Sequence, residues 1–230
     1  ALVLAAEKLI EKGRRIAAHV LEAAETDIEF VEGRFSVAGT DRALSLKQVA
    51  MTAFQPAKLP AGMEPGFYEN ATYETPLPTF PNSCHICEVE IDPDTGAVQL
   101  VSYCVVDDVG TVINPLTLKG QIHGGIAQGV GQVLMEQVVY EPDTGQLLSA
   151  SFMDYAMPRA DTLCNMEVAS NPVPTKRNLL GAKGAGEAGT VGALPSVMLA
   201  IMNALAPLGV TELDMPATGE AVWRAIQAAK

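Results

Sequence analysis

Apolar positions at Leu9, Gly13, Ile16 and Val20 recur at intervals of four, three and four, with Ile10, Ala17 and Leu21 beside them. That spacing predicts an amphipathic helix over residues 1–24, with Lys8, Glu11, Lys12, Arg15 and Glu22 on its other side. From Asp27 to Val37 the pattern becomes that of a small hairpin turning at Glu32-Gly33. Ser45 to Phe54 reads as a short helix capped by Ser45. Residues 55–82 hold six of the fifteen prolines and read as irregular chain with one strand near Phe67–Tyr73. The aromatics Phe67, Tyr68, Tyr73 and Phe80 suit a packed surface segment better than a free tether.

Cys84–Ile91 and Ala97–Val106 then alternate as two strands around Asp92-Pro93-Asp94-Thr95-Gly96, a turn with Pro and Gly in favoured places. A related turn, Pro142-Asp143-Thr144-Gly145, lies between Val138-Val139-Tyr140 and Leu147-Leu148 and predicts a second hairpin. A helix over about Leu116–Gln137 joins the two. A strand near Cys164–Ala169, a glycine-rich loop and helices near 195–206 and 217–229 complete the chain. Strands and helices do not alternate regularly, so the expected class is α+β, with mixed sheets and packed helices. The expected organisation is a helix–hairpin–helix segment at 1–55, a Pro-rich connector at 56–82 and a main region at 83–230.

Composition narrows the function. A net charge of −12 disfavours nucleic acid or an anionic membrane as partner, since both require clustered Lys and Arg. Cys84, Cys87, Cys104 and Cys164 are too few for a disulfide framework, which favours a reducing, cytoplasmic compartment. Charges at Glu7, Lys8, Glu11 and Lys12 interrupt any signal-peptide core. The uncharged stretch Thr190–Leu208 has membrane length, but Pro195, Ser196, Asn203 and Pro207 argue for a buried helix beginning at Pro195 rather than a span. The chain begins at Ala1 within a helical pattern, so it is expected to be a piece of a longer polypeptide or a processed chain.

Three segments carry candidate chemistry. Gly181-Ala182-Lys183-Gly184-Ala185-Gly186-Glu187-Ala188-Gly189 presents one carboxylate from a backbone that can approach a partner closely. Gly184–Gly189 also fits the G-x-G-x-x-G dinucleotide fingerprint. That fingerprint needs a strand before it and a helix starting within it, and neither is expected here. Gly120–Gln132 puts five glycines into a predicted helix, at roughly 1 kcal/mol each relative to Ala. Close approach of another helix, or a ligand needing backbone N–H groups, would offset that. Gln121, Gln128 and Gln132 share one face of this helix, either as a ligand surface or as a solvated stripe. Asp107-Asp108-Val109-Gly110-Thr111-Val112-Ile113-Asn114-Pro115 leaves a strand and enters a helix, with Asn114 as N-cap. Cys84-His85-Ile86-Cys87 lacks the second ligand pair of a zinc site, and a strand would turn its two cysteines to opposite faces. No residue of the chain is therefore expected to ligate a metal.

Taken in order, Pro81–Asp92, Asp107–Pro115, Gly120–Gly131, Asp154-Tyr155-Ala156-Met157-Pro158 and Lys183–Gly189 resemble the C-terminal part of the molybdopterin-binding large subunit of the molybdenum hydroxylases. These are the xanthine dehydrogenase, aldehyde oxidase and aerobic carbon monoxide dehydrogenase enzymes. The style of the motifs, with Pro158-Arg159 after Met157, is similar to the bacterial carbon monoxide dehydrogenase-like branch. The resemblance implies that Glu187 lies beside molybdenum and is the base that deprotonates a metal-bound hydroxyl. It implies that Gln121 contacts the pterin. Asp108, Val109, Gly110, Thr111 and Asn114, with Lys183, Gly184, Ala185 and Gly186, would line molybdopterin or its cytosine dinucleotide tail. It further implies an N-terminal remainder of the subunit, an iron–sulfur small subunit and an FAD medium subunit, assembled as a dimer of heterotrimers. The isolated chain would then be inactive and bind cofactor weakly or not at all. The alternative is a non-catalytic pterin-binding or assembly module.

Overall fold

The structure, a computed structural model, describes residues 1–230 and divides into two units, Ala1–Thr75 and Pro76–Lys230. The boundary falls inside the Pro-rich stretch.

In the first unit, helix α1 (Leu2–Leu21) is followed by a three-stranded antiparallel sheet of β1 (Ile28–Val31), β2 (Arg34–Val37) and β3 (Ala43–Ser45). The hairpin turns at Glu32-Gly33 as expected, pairing Ile28 with Val37. β3 was not anticipated, because three residues carry no readable alternation. Ser45 ends β3 and caps α2 (Leu46–Thr52) through a capping box: its hydroxyl accepts from the Gln48 N–H at 3.3 Å, and Gln48 Oε1 accepts from the Ser45 N–H at 2.8 Å. Ile16, Phe35 and Val49 are fully buried in this unit's core, and the Phe35 ring lies on Gly13. Val20, placed by periodicity on the buried face, is 40% exposed. No strand forms at Phe67–Tyr73. The prolines on either side of it lack the N–H groups that a ladder needs.

The second unit is built on the long hairpin of β4 (Asn82–Ile91) and β5 (Val98–Asp108), with β6 (Met166–Ser170) parallel on the other edge of β5. Asp92 fixes the turn, accepting from the Asp94 N–H at 2.9 Å and the Thr95 hydroxyl at 2.7 Å. The turn at Pro142–Gly145 gives only a bridge between Tyr140 and Leu147, not a second hairpin. Its flanking runs are two and three residues long and have no third strand to join. Alternation along β4 sends His85, Cys87 and Val89 inward and Cys84, Ile86 and Glu88 outward.

Helices α3 (Pro115–Leu134), α4 (Ala188–Leu205) and α5 (Gly219–Ala228) supply the rest of the core. Tyr103 and Val105 of β5 pack with Ile122, Ile126, Val130 and Val133 of α3 and with Ala193, Val197, Ile201 and Leu205 of α4. α4 begins at Ala188, seven residues before the expected start, and carries Pro195 inside it. Packing against α3 and β4 outweighs the lost hydrogen bond at Pro195. α4 with the turn after it, Ala188–Leu208, is long and apolar enough to cross a membrane by length and composition. In this fold one face of it, with Ala193, Val197, Ile201 and Leu205, lies in the core, while Val191 and Leu199 are exposed.

Two of the five α3 glycines, Gly125 and Gly129, are explained where α3 meets α4. A Cβ on Gly189 would stand 2.5 Å from the Ile122 carbonyl oxygen, and one on Gly129 would stand 2.6 Å from Ala193 Cβ. The two backbones therefore touch directly, and no larger residue fits without moving a helix. Gly189→Ala should destabilise the chain by about 1–3 kcal/mol in chemical denaturation, as overpacking does. A change within error would mean that α3 and α4 separate at no penalty.

Candidate functional site

The glycine loop and the strand-to-helix junction come together. β5 ends at Asp108, and the next residues run beside Gly181–Lys183. The Thr111 N–H donates to the Gly181 carbonyl at 3.0 Å, the Lys183 N–H donates to the Val109 carbonyl at 2.8 Å, and Gly110 bridges Ala182. Gly110 has φ +64°, and a Cβ there would collide with the Gly181 carbonyl, so this approach requires glycine. Asn178 braces the other side: its amide donates to the Ala182 carbonyl at 2.7 Å, and its side-chain oxygen accepts from the Leu180 and Ala182 N–H groups.

Asp107 and Asp108 are neighbours with opposite fates, because a strand turns successive side chains to opposite faces. Asp108 accepts from the N–H groups of Gly110 and Val173, each at 2.9 Å, and pairs with Lys183 Nζ at 2.5 Å. The hydrogen bond from Lys183, with the two backbone N–H groups, holds the Asp108 carboxyl far below the usual carboxylate range. Asp108 is thus a clamp between the two loops, and its carboxylate is occupied within the chain. Asp107 points inward, is 1% exposed, and has no hydrogen-bond partner on either carboxylate oxygen. Burial pushes it up to about 6.

Asn114 caps α3 as expected, accepting from the N–H groups of Leu116 and Thr117 at 3.0 and 3.2 Å. One turn beyond Thr117, Gln121 donates from Nε2 to the Gly186 carbonyl at 2.7 Å. Gln128 accepts from the Thr190 hydroxyl at 3.2 Å. These two glutamines reach from α3 to the loop and to α4, and both remain exposed, as does Gln132. The same arrangement leaves an open cleft of about 270 Å³. Val109, Thr111, Asn114, Gln121, Lys183 and Ala185 line it, together with Val112, Ile113, Thr117, Leu118 and Ala182. Thr117 was legible as the position one helical turn before Gln121. Val112 and Ile113 carry no local signal beyond their place in the motif.

Gly184 and Gly186 flank Ala185 without lining the cleft; nothing stands within 4 Å of a Cβ position on Gly186. The N–H groups of Ala185 and Gly186 find no acceptor within the chain. Glu187 is the N-cap residue of α4, yet its side chain makes no capping bond and stands exposed. The positive end of the helix dipole favours a carboxylate there. A helix therefore does start at the glycine loop, contrary to the expectation that weakened the dinucleotide reading. That reading still lacks its first strand, since β6 ends at Ser170.

Asp154–Pro158 lies elsewhere. It lines a second cleft of about 540 Å³ with Met135, beyond the other end of α3, where the Tyr155 hydroxyl donates to Glu136 at 2.7 Å. No three His, Cys, Asp or Glu side chains gather as a metal-ligand set.

The family described as "Molybdopterin cofactor-binding domain" matches residues 1–164. The chain is 38% identical over 229 residues to the carbon monoxide dehydrogenase large chain of Hydrogenophaga pseudoflava, covering 99% of this chain and 28% of that one. It is 38% identical over 223 residues to the nicotine 6-hydroxylase large subunit of Paenarthrobacter nicotinovorans, covering 96% of this chain and 27% of that one. Its structure is similar to that of reconstituted CO dehydrogenase from Oligotropha carboxidovorans, with a TM-score of 0.90 and 32% identity over 98% of this chain and 28% of the other. The chain thus spans little more than a quarter of the length of these relatives.

The raised Asp107 carboxyl makes a pH prediction. A carboxyl whose folded value lies above its unfolded value contributes stability at low pH that is lost as pH rises from about 4 through about 6. Denaturation at pH 4.5 and 7.5 should show that decline, and Asp107→Asn should flatten it. An unchanged slope would mean that the carboxyl ionises freely.

Proposed function

This chain belongs to the molybdopterin cofactor-binding family, and from that premise we propose that it forms the C-terminal cofactor-binding and catalytic-base region of a molybdenum hydroxylase large subunit. The observation that carries the proposal is the bond from Gln121 Nε2 to the Gly186 carbonyl, which joins the glutamine helix to the loop presenting Glu187. The residues fit a pterin with a phosphate-bearing tail. Ala185 and Gly186 offer unpartnered N–H groups beside an open cleft, as pyrophosphate-binding backbones do. Lys183 places a cation at the cleft wall, and Gln121 keeps its amide oxygen for another donor.

When bound, molybdenum on the pterin supplies an activated oxygen nucleophile and an acceptor for the electrons of the oxidised substrate carbon. The chain's own part is positional and acid–base. Glu187 would hold a carboxylate at the start of α4, free of capping duty, as the proton acceptor that this chemistry requires. Asp108 does not reach outward. It holds Lys183 and the backbone at Gly110 in place, so the Thr111–Asn114 wall and the Lys183–Gly186 wall face one cleft. Val109, Gly110, Thr111, Asn114, Gly184, Ala185 and Gly186 contribute backbone and small side chains to the cofactor bed.

The remainder of the large subunit completes this half-site, so the isolated chain is inactive. Electrons leave through iron–sulfur and FAD partner subunits in a cytoplasmic dimer of heterotrimers, and the tail is the cytosine dinucleotide form. The substrate of this reading is one with an electron-poor carbon, a class that the names of the carbon monoxide dehydrogenase and nicotine 6-hydroxylase relatives suit.

In the full-length holoenzyme, Glu187→Gln should lower kcat by about 10²–10⁴-fold, as loss of a general base does, with molybdenum content unchanged. The measurement is turnover of carbon monoxide, aldehydes and N-heterocycles with an artificial electron acceptor, alongside metal analysis. Undiminished turnover would overturn the role of Glu187.

A further inference from the structure

His85 sits behind the site. It is on the inward face of β4, and its Nδ1 is 2.7 Å from the Tyr103 hydroxyl, with the two rings edge-on. Its other nitrogen, Nε2, is buried against the first turns of α4. A Cβ on Gly192 would overlap the imidazole, and Nε2 faces the backbone of Ala188 without closing a hydrogen bond of normal geometry. Ser196, one turn beyond Gly192, has its side chain beside the Tyr103 hydroxyl.

The contacts with α4 therefore fall on both sides of Pro195. Proline has no N–H, so the Val191 carbonyl lacks its helical partner, and the ladder is broken between the first two turns and the rest. The first turn of α4 would be the weakest part of the helix if nothing behind it were rigid. Tyr103 is fully buried and β5 is the central strand of its sheet, so the support is the stiffest available in this unit. Glu187 is the residue immediately before that turn. Burial disfavours the imidazolium, so His85 is the neutral ring that accepts from the Tyr103 hydroxyl and turns Nε2–H towards α4.

We propose that His85, held by Tyr103, is a positioning residue for Glu187: its ring packs under Gly192 and Ala188 and fixes the first turn of α4 across the break at Pro195. The proposal rests on the reading of Glu187 as the base, and His85 acts through the helix, not on the substrate. Gly192 belongs to the same device, because only glycine leaves room for the ring.

The test uses the full-length holoenzyme with His85→Leu, His85→Gln and Tyr103→Phe. His85→Gln retains an N–H donor at the end of its side chain, and Tyr103→Phe retains the buried ring, so both are expected to fold. Hydrogen exchange of the Val191–Leu194 amides is compared with that of Ile126–Val133 in α3. His85→Leu and Tyr103→Phe should speed exchange in Val191–Leu194 by tenfold or more while α3 stays within twofold. kcat should fall about tenfold with KM and molybdenum content unchanged, and His85→Gln should recover both readouts to within about threefold. Wild-type exchange in the first turn of α4, equal acceleration in α3, or His85→Gln behaving as His85→Leu would each overturn the proposal. The exchange readout does not depend on turnover. If Glu187→Gln left activity intact, the base assignment would fail while the exchange comparison still decided whether His85 holds α4.

Discussion

The contact between the α3 and α4 backbones is what the rest of the second unit depends on. Gly125, Gly129 and Gly189 let the two helices meet without intervening side chains, as shown by the 2.5 Å that would separate a Gly189 Cβ from the Ile122 carbonyl. A helix interior rich in glycine is a poor helix by propensity, at roughly 1 kcal/mol for each replacement of Ala. The close approach returns dispersion contacts along both helices and buries Ile122, Ile126, Val130, Ala193 and Val197 in one seam. It also fixes where α4 begins relative to Gln121, and through that residue where the glycine loop lies.

The loop is consequently held from three directions that are remote in sequence. Asp108 and Lys183 fasten its start, Gln121 fastens Gly186, and α4 carries its end. Few of these bonds are strong alone. Together they leave the loop little freedom, and pre-organisation of this kind is how a site avoids ordering itself anew at each encounter. The neighbouring acids illustrate the division. Asp108 faces a cation and two N–H groups and stays ionised, whereas Asp107, one residue earlier, faces the core and is pushed towards its neutral form.

Much of this was legible along the chain because the signals are local. The Asp92–Gly96 turn between alternating runs gave the long hairpin, Asn114-Pro115 gave the start of α3, and Ser45 marked α2. The unreadable parts depended on distant partners. α4 starts at Ala188 because α3 and β4 hold it there, while Pro195 argues locally for a later start. Aromatic residues from Phe67 to Tyr73 resembled a strand, but Pro65 and Pro76 beside them lack the N–H groups that a ladder needs. The glutamine spacing showed a shared face, and only tertiary packing showed that this face meets the loop and α4. Asp108, placed in the cofactor-lining segment by resemblance, has its side chain engaged within the chain, and sequence alone did not show that.

That last case bears on how a motif should be understood. An acidic residue in a cofactor-binding segment invites the view that it binds the cofactor, and for Asp108 the geometry supports a different division of labour. Its two oxygens already take three hydrogen bonds and its side chain is largely buried, so the carboxylate is engaged mainly within the chain. The groups left open to a ligand are the amide oxygen of Gln121 and the bare backbone at Ala185 and Gly186, while the Lys183 cation is turned onto Asp108. An anionic cofactor needs donors, and the open set consists largely of donors. The acid is required because it keeps those donors in place.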